Sequence, residues 1–377
     1  MEIMFIFPTS LRTFGGVSNW AKEILPRLHE KEIDIRVFAS SFTDFSPNLT
    51  NETIETLSKE GIFYKELPII ETLKKFYIVP FKGNSLLKIK TFAKKADVVY
   101  TQNIFLGQDV QLLKIKKDIE RPFIIGYHTH IYNGKILHDL ITKLWLLRRW
   151  KSFSAHHVLT LEQQKFLLSH GYKNVRCIPN GVNTRQYLPG KMSEKNENYA
   201  VLFIGKLCNL KGVDIILECA KDIYKKYGNE IKFVFAGDGP LKNKVIEYSK
   251  RYSNIEYKGF VYGKNKLELY KTAHTFVLPS KAEGLPLVIL EAMASGLYVI
   301  SSSDYGIIPS GNIVDDKIKT KKYYLYQAII KSYSLWESSE FKFNKICKNN
   351  RTVAEEFDWD NIVKKFVSFL KEVSLWY

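Results

Sequence analysis

Two lysines and two glutamates stand at spacings that suit a phosphorylated, hydroxyl-rich ligand. In the run Leu278–Gly296, LPSKAEGLPLVILEAMASG, Glu283 precedes a predicted helix and Glu291 follows eight residues later. The start of such a helix offers unpaired backbone N–H groups and the positive end of a dipole, which favour an anion or hydroxyl oxygens. A carboxylate beside it accepts hydrogen bonds from a polyol, although a solvated pair of acids fits the spacing equally. In Phe203–Gly212, FIGKLCNLKG, Lys206 and Lys211 follow a predicted strand. Two compact ammonium groups at a strand's carboxyl edge can clamp a diphosphate, or can be two surface lysines in a lysine-rich chain. Gly15-Gly16 separates the first predicted strand from the first helix. There the missing side chain either admits a ligand to the backbone or makes a tight turn. The stretch is not GxGxxG, so a dinucleotide fingerprint is absent. Ala236–Pro240, AGDGP, reads as a tight turn between strand and helix at the same sheet edge. Tyr127-His128-Thr129-His130 follows the strand FIIGY. A histidine at that edge can exchange a proton with a reacting hydroxyl near neutral pH. His-x-His hints at a metal, but no third ligand stands at a known spacing, so none is expected.

These groups need strands that all end in loops at one edge. In the first half, strands are predicted at Met4–Pro8, Ile33–Ala39, Asp97–Thr101, Phe123–Tyr127 and His156–Thr160. Val17–Leu28 is a predicted helix, with Val17, Trp20, Ala21, Ile24, Leu25 and Leu28 on one face. The polar stretch Arg185–Asn198 reads as a linker. The pattern then restarts with strands at Tyr199–Ile204, Lys232–Ala236, Ile255–Lys258, Thr275–Leu278 and Tyr298–Ser301. Helices are predicted between them at Gly212–Tyr227, Leu241–Tyr252, Lys264–Lys271 and Pro286–Ser295. Strands alternating with helices imply parallel pairing through right-handed crossovers. Trp359–Val373 closes the chain as an amphipathic helix. The expected architecture is α/β: residues 1–184 as a first Rossmann-like domain, 185–198 as linker, 199–356 as a second Rossmann-like domain, and 357–377 as a helix returning to the first. Ligands of such sheets sit at the carboxyl ends of the strands, so both edges are expected to face a cleft.

The 377 residues fit two domains rather than one core. With 45% hydrophobic and 25% charged residues, disorder, collagen and coiled coil are excluded as the main state. No apolar window approaches the roughly 18 residues of a membrane span, and the apolar start MFIF is too short for a signal peptide. The net charge of +17, spread over both halves, favours phosphate-bearing partners. Four cysteines without a CxxC pair point to a reducing, cytoplasmic location. A nucleic-acid binder has no recognised motif here, so no nucleic-acid partner is expected.

In chain order, IPNGV (Ile178–Val182), GKL…KG (Gly205–Gly212), AGDGP, GFV (Gly259–Val261) and EGLPLVILE (Glu283–Glu291) resemble glycosyltransferase family 4. Its members are retaining, nucleotide-sugar-dependent enzymes of GT-B fold. FGGVSNWAKEILPRL is similar to the family's glycine loop and first helix, and FDWDNIVKKFVSFL to its closing helix. The resemblance covers most of the chain, and the Glu-x7-Glu pattern is its most specific part. It implies that Glu283, with the backbone of Gly284 and Leu285, binds sugar hydroxyls of the donor, and that Glu291 binds the ribose. Lys206 and Lys211 would hold the diphosphate and stabilise the leaving nucleotide. Gly15, Gly16, Gly205, Gly237 and Val261 would line the donor. His128 would stand near the sugar and acceptor; His128 is preferred over His130 because it lies nearer the strand end. No metal or other cofactor is implied, and the stereochemical route, by a carboxylate or by same-face attack, stays open. The chain departs from the family at Asn183, at Lys206 and in SSSDYGIIPSGNIVDD, which has a single Gly306 before the Ser-Gly pair.

On the acceptor side, Thr72–Lys95 carries seven lysines, no acidic residue, and Phe76, Tyr77, Ile78, Val79 and Phe81. Such a patch can lie on an anionic membrane. Leu140–Lys151, LITKLWLLRRWK, has a similar composition but reads as a helix packed inward. The expected activity is hexose transfer from a UDP- or GDP-sugar to a glycan or lipid-linked acceptor, peripheral on the inner membrane face. The alternative is a GT-B epimerase acting on the nucleotide sugar itself.

Overall fold

The computed structural model describes residues 1–13, 15–43, 49–71, 78–102, 107–128, 147–191 and 194–376. The chain forms two compact units, Met1–Asn180 with Trp359–Tyr377, and Gly181–Asp358.

The first unit is built on a seven-stranded sheet: β1 (Glu2–Phe7), β2 (Asp34–Ser40), β3 (Phe63–Leu67), β4 (Val98–Gln102), β5 (Phe123–Tyr127), β6 (Ala155–Val158) and β7 (Val175–Cys177). The spatial order is β3-β2-β1-β4-β5-β6-β7, and every neighbouring pair is parallel. The central strands are buried on both faces, which is why they read as continuous apolar runs. The edge strands β3 and β7 are only partly buried. They lack such a run, so the sequence pattern passed over them. The helix Gly16–His29 buries Trp20, Ala21, Ile24, Leu25 and Leu28 of the face its spacing predicts, while Val17 at its first turn is only half-buried. The helix Trp359–Ser374 buries Trp359, Ile362, Val363, Phe366, Phe369, Leu370 and Val373 in this unit. Its Phe366 packs edge-on against Trp20, Tyr100 and His157 at 5.8, 5.4 and 5.2 Å between ring centres.

The second unit carries β8 (Tyr199–Ile204), β9 (Ile231–Ala236), β10 (Ile255–Tyr257), β11 (Thr275–Leu278), β12 (Tyr298–Ser301) and β13 (Ile313–Val314). Their order is β10-β9-β8-β11-β12-β13, again all parallel. Both sheets therefore reverse strand order once, between β1 and β4 and between β8 and β11. The crevice at such a reversal is where doubly wound sheets receive ligands.

The stretch 185–198 is not a free linker. Asn196 N–H donates to the Thr272 carbonyl at 3.0 Å, and Lys195 Nζ to that of Ala273 at 2.5 Å. A Cβ on Gly190 would stand 2.2 Å from the Lys271 carbonyl oxygen. These contacts tie the stretch to the second unit, so the first crossing falls at Asn180–Gly181. At the second crossing, Val182 N–H donates to the Phe357 carbonyl at 2.9 Å, and the Thr184 hydroxyl donates to Asp358. Residues 357 and 358 thus belong with the second unit, and the closing helix starts at Trp359.

Candidate active site

The loops after β8 and β11 flank the strand-order reversal of the second sheet, and they are bonded to each other. Lys281 N–H and the Ser280 hydroxyl both donate to the Leu210 carbonyl, at 2.8 and 3.1 Å. Lys211 Nζ then forms an ion pair with Glu283 Oε1, and the Ser280 hydroxyl also reaches that oxygen at 2.9 Å. Both charged side chains are mostly buried, 24% and 12% exposed. Lys206, five residues back, is exposed and makes no ion pair among the described residues. Gly212 sits at φ 74°, and a Cβ there would stand 2.5 Å from the Pro279 carbonyl oxygen. Only glycine lets the two loops close to this distance.

Pro286 begins the helix Leu287–Ala294, so Glu283 lies before the helix and Glu291 on it. The helix start has no side-chain cap and no acid in its first turn. Its first N–H groups therefore remain as donors. Glu291 faces inward and is 7% exposed. Its Oε1 accepts from the Tyr187 hydroxyl at 2.9 Å and pairs with Lys266 Nζ at 2.7 Å, and its Oε2 accepts from the Tyr270 hydroxyl at 2.8 Å. Lys266 and Tyr270 stand four apart on the helix Gly263–Thr272 and so share one face. Burial pushes the Tyr270 phenol well above its ordinary value, with the Glu291 charge adding to it.

The glycines divide into two kinds. A Cβ on Gly237 would stand 1.9 Å from the Gly205 carbonyl oxygen, and one on Gly239 2.6 Å from that of Leu207. Gly237 therefore has a packing duty: it lets the AGDGP turn support the Gly205–Lys211 loop from beneath. Gly15 and Gly16 have no atom within 4 Å of a built Cβ and are exposed. Packing does not require glycine at either, and the space over the start of the helix Gly16–His29 is open. Gly205 has only the Phe203 ring within reach of a Cβ, at 3.5 Å. Val261 is half-buried, and Gly284 and Leu285 are buried beside Glu283.

In the first unit, His128 follows β5. Its Nε2 lies 3.0 Å from the Tyr100 hydroxyl and 3.0 Å from the Gln102 side-chain nitrogen. The ring meets Trp20 edge-on at 4.8 Å. Burial, and secondarily the neighbouring His157, hold its pKa well below the ordinary value, so the ring is neutral at physiological pH. A Cβ on Gly126 would stand 2.0 Å from the Tyr100 hydroxyl, so this glycine makes room for the cluster. His130 lies outside the described residues, as do positions 72–77 and 140–146 of the two basic–aromatic stretches. Within the rest of those stretches Val79, Phe81, Leu147 and Trp150 are core residues, while Lys82, Lys88, Lys94 and Lys95 are exposed. Among the described residues no cluster of three or more His, Cys, Asp or Glu could hold a metal, and no helix is long and apolar enough to cross a membrane.

With that geometry in place, residues 14–186 match the family model of Glycosyltransferase Family 4, and residues 185–352 that of Glycosyl transferases group 1. The chain belongs to the glycosyltransferases. The glycosyltransferase is 25% identical to a Campylobacter jejuni α-1,4-N-acetyl-D-galactosaminyltransferase, named for a diNAcBac-PP-undecaprenol-linked acceptor, over 99% of both chains. It is 26% identical to the sulfoquinovosyl transferase of Arabidopsis thaliana, over 70% of this chain and 54% of that one, so it spans about half the plant enzyme's length. Among solved structures, Anabaena HepE in complex with UDP-glucose superposes with a TM-score of 0.74 at 16% identity, covering 99% and 100% of the two chains. That likeness establishes the GT-B fold.

The glycosyltransferase brings Lys211 and Glu283 together and sets Lys206 on the same loop as Lys211. Sequence reasoning missed the partners that hold them. Ser280 stands only three residues before Glu283, in the same loop, whereas the three groups on Glu291 come from elements distant in sequence, and only the four-residue spacing of Lys266 and Tyr270 offered a hint. Tyr305 was also missed. It adopts φ 52° in the unusual loop after β12. Burial, with the Glu283 charge adding to it, pushes its phenol far above the ordinary value.

Proposed function

We propose that the second unit binds a UDP- or GDP-hexose, and that the enzyme passes the hexose, with retention and without a metal, to a glycan or lipid-linked acceptor. The observation that carries this reading is the Lys211–Glu283 pair, bonded across the strand-order reversal with exposed Lys206 on the same loop. Breaking the glycosyl–phosphate bond leaves positive charge on the sugar and negative charge on the diphosphate. An ammonium carries three donors, so Lys211 can keep Glu283 and still serve phosphate oxygens. With Lys206 it neutralises the leaving group by preplaced charge, the role a metal plays elsewhere. Glu283, fixed by Ser280 and Lys211, accepts from sugar hydroxyls. Glu291 Oε2 accepts one hydrogen bond among the described residues, from Tyr270, and keeps acceptor capacity for a ribose hydroxyl. In the first unit, the open space at Gly15 and Gly16 suits close approach of a phosphate to the backbone, and His128 suits contact with the sugar and acceptor. The lipid-linked acceptor in the Campylobacter relative's name supports the acceptor class. A lipid-linked acceptor would in turn bring Lys82, Lys88, Lys94 and Lys95 to an anionic surface on the cytoplasmic side.

The test is transfer from UDP- and GDP-hexoses to a polyprenyl-diphosphate glycan on vesicles, with excess chelator present and the product's anomeric configuration read by NMR. The account expects the donor's configuration in the product, full activity under chelation, and faster turnover on anionic vesicles. Inversion, or loss of activity under chelation, would overturn the mechanism. Indifference to lipid charge would remove the membrane contact, and a changed sugar formed from donor alone would establish the epimerase, which no relative described above supports.

A further inference from the structure

Three donors hold the Glu291 carboxylate, and they are shared unequally between its two oxygens. The Tyr187 hydroxyl and Lys266 Nζ both reach Oε1, at 2.9 and 2.7 Å, while the Tyr270 hydroxyl reaches Oε2 at 2.8 Å. A carboxylate only accepts, and each oxygen has two lone pairs to offer. Oε1 is therefore filled and Oε2 half filled. Tyr270 could also donate to the Val288 carbonyl, but at 3.5 Å that contact is the weaker one, so its proton goes to Oε2. Burial, with the Glu291 charge adding to it, keeps that phenol protonated. The Lys266 and Glu291 side chains are 15% and 9% exposed. Dehydrating two charges costs about as much as their attraction returns, so such a pair adds little to stability. What it adds is geometry. Lys266 Nζ also stands 5.7 Å from the centre of the Tyr187 ring, and that ring meets Tyr270 edge-on at 5.5 Å. The donors thus fix one another as well as the carboxylate.

We infer that Lys266 is a positioning residue: with Tyr187 it fills Glu291 Oε1, so that the carboxylate reads one ribose hydroxyl, through Oε2, rather than two at once. A hydroxyl suits the remaining lone pair because it donates, and a phosphate oxygen does not. The inference rests on the reading that Glu291 meets the ribose, and it adds a rule to that reading. Of the two neighbouring ribose hydroxyls, this carboxylate distinguishes one.

The experiment is calorimetric titration of the full chain with UDP, 2′-deoxy-UDP and 3′-deoxy-UDP, and with the three guanosine counterparts. Removing one of the two ribose hydroxyls should weaken binding by about 10–100-fold, the scale of a hydrogen bond to a charged acceptor, while removing the other should leave affinity nearly unchanged. Lys266→Met keeps most of the stem and removes the ammonium, so it should lose most of this discrimination; Lys266→Arg, which keeps a cation, should retain it. Glu291→Ala/Lys266→Met leaves neither charge buried alone, and it should discriminate no better than Lys266→Met. A lysine that served stability only would lower the urea midpoint and leave the ratio of affinities alone. Unchanged discrimination in Lys266→Met would therefore overturn the positioning role. Losses for both deoxy nucleotides that vanish together in the double variant would overturn the single-hydroxyl rule. If neither deoxy nucleotide binds more weakly than its parent, the ribose reading of Glu291 is what fails, and the inference falls with it. The wild-type comparison needs no variant, so the rule stays open to refutation even where a variant does not fold.

Discussion

Replacing Glu283 by alanine should slow hexose transfer by about 10²–10³-fold, the scale of removing one preorganised polar group from a reacting centre. The change has two parts in this structure. The sugar loses its carboxylate acceptor, and Lys211, 24% exposed, loses the partner that holds it in place. Nucleoside diphosphate binding should largely survive, because both lysines remain. Steady-state kinetics with a UDP- or GDP-hexose, beside a titration with the nucleoside diphosphate, separates these effects. A folded variant with near-normal kcat would remove Glu283 from the site.

The second large effect is on acid stability. Burial holds the pKa of His156 down to about 3 and those of His157 and His274 to about 4. His274 accepts the Ala200 N–H on Nδ1 at 3.1 Å, so its protonation would also break a backbone hydrogen bond. In the unfolded chain these rings take up protons near pH 6.5, while in the fold they stay neutral. The unfolded state therefore binds more protons below pH 6.5, and stability falls as pH falls from 6.5 toward about 4. At pH 5 each ring costs about 2 kcal/mol relative to pH 7.5. Two of the three lie in the first unit, where buried neutral His128 adds a loss of the same sign, so that unit loses at least about 4 kcal/mol against about 2 kcal/mol in the second. Urea unfolding at the two pH values reads this. Trp336 is the only tryptophan between residues 181 and 358, so fluorescence reports mainly the first unit. Equal midpoints at pH 7.5 and pH 5 would contradict the neutral burial of these rings.

Much of the fold was legible because central parallel strands must be apolar on both faces and their connecting helices amphipathic. Tyr199–Ile204, Thr275–Leu278 and Tyr298–Ser301 occupy the ranges their composition predicts. What was not legible depended on contacts across the chain. The polar stretch 185–198 reads as linker in isolation, yet its lysine, asparagine and tyrosine bond to the second unit. Gly237 resembles a ligand-binding glycine, but the Gly205 carbonyl beneath it already excludes a side chain. Spacing alone left Glu291 open between a ligand-binding acid and one of a solvated pair, whereas on the helix Leu287–Ala294 it meets Tyr187, Lys266 and Tyr270. The left-handed backbone of Tyr305 leaves no mark in composition at all.

The central claim is that Lys206 and Lys211 hold the diphosphate of an activated sugar. Thermal unfolding of the wild type and of Lys206→Ala/Lys211→Ala with UDP, GDP and ADP, each with its hexose conjugate, tests it most directly. One nucleoside diphosphate at about a hundred times its Kd should stabilise the wild type by about 2.7 kcal/mol, roughly 5–10 °C for a unit of this size. The double variant should lose most of that rise at equal ligand concentration. If no nucleotide moves the wild-type transition, or if the variant responds as the wild type does, the account is wrong.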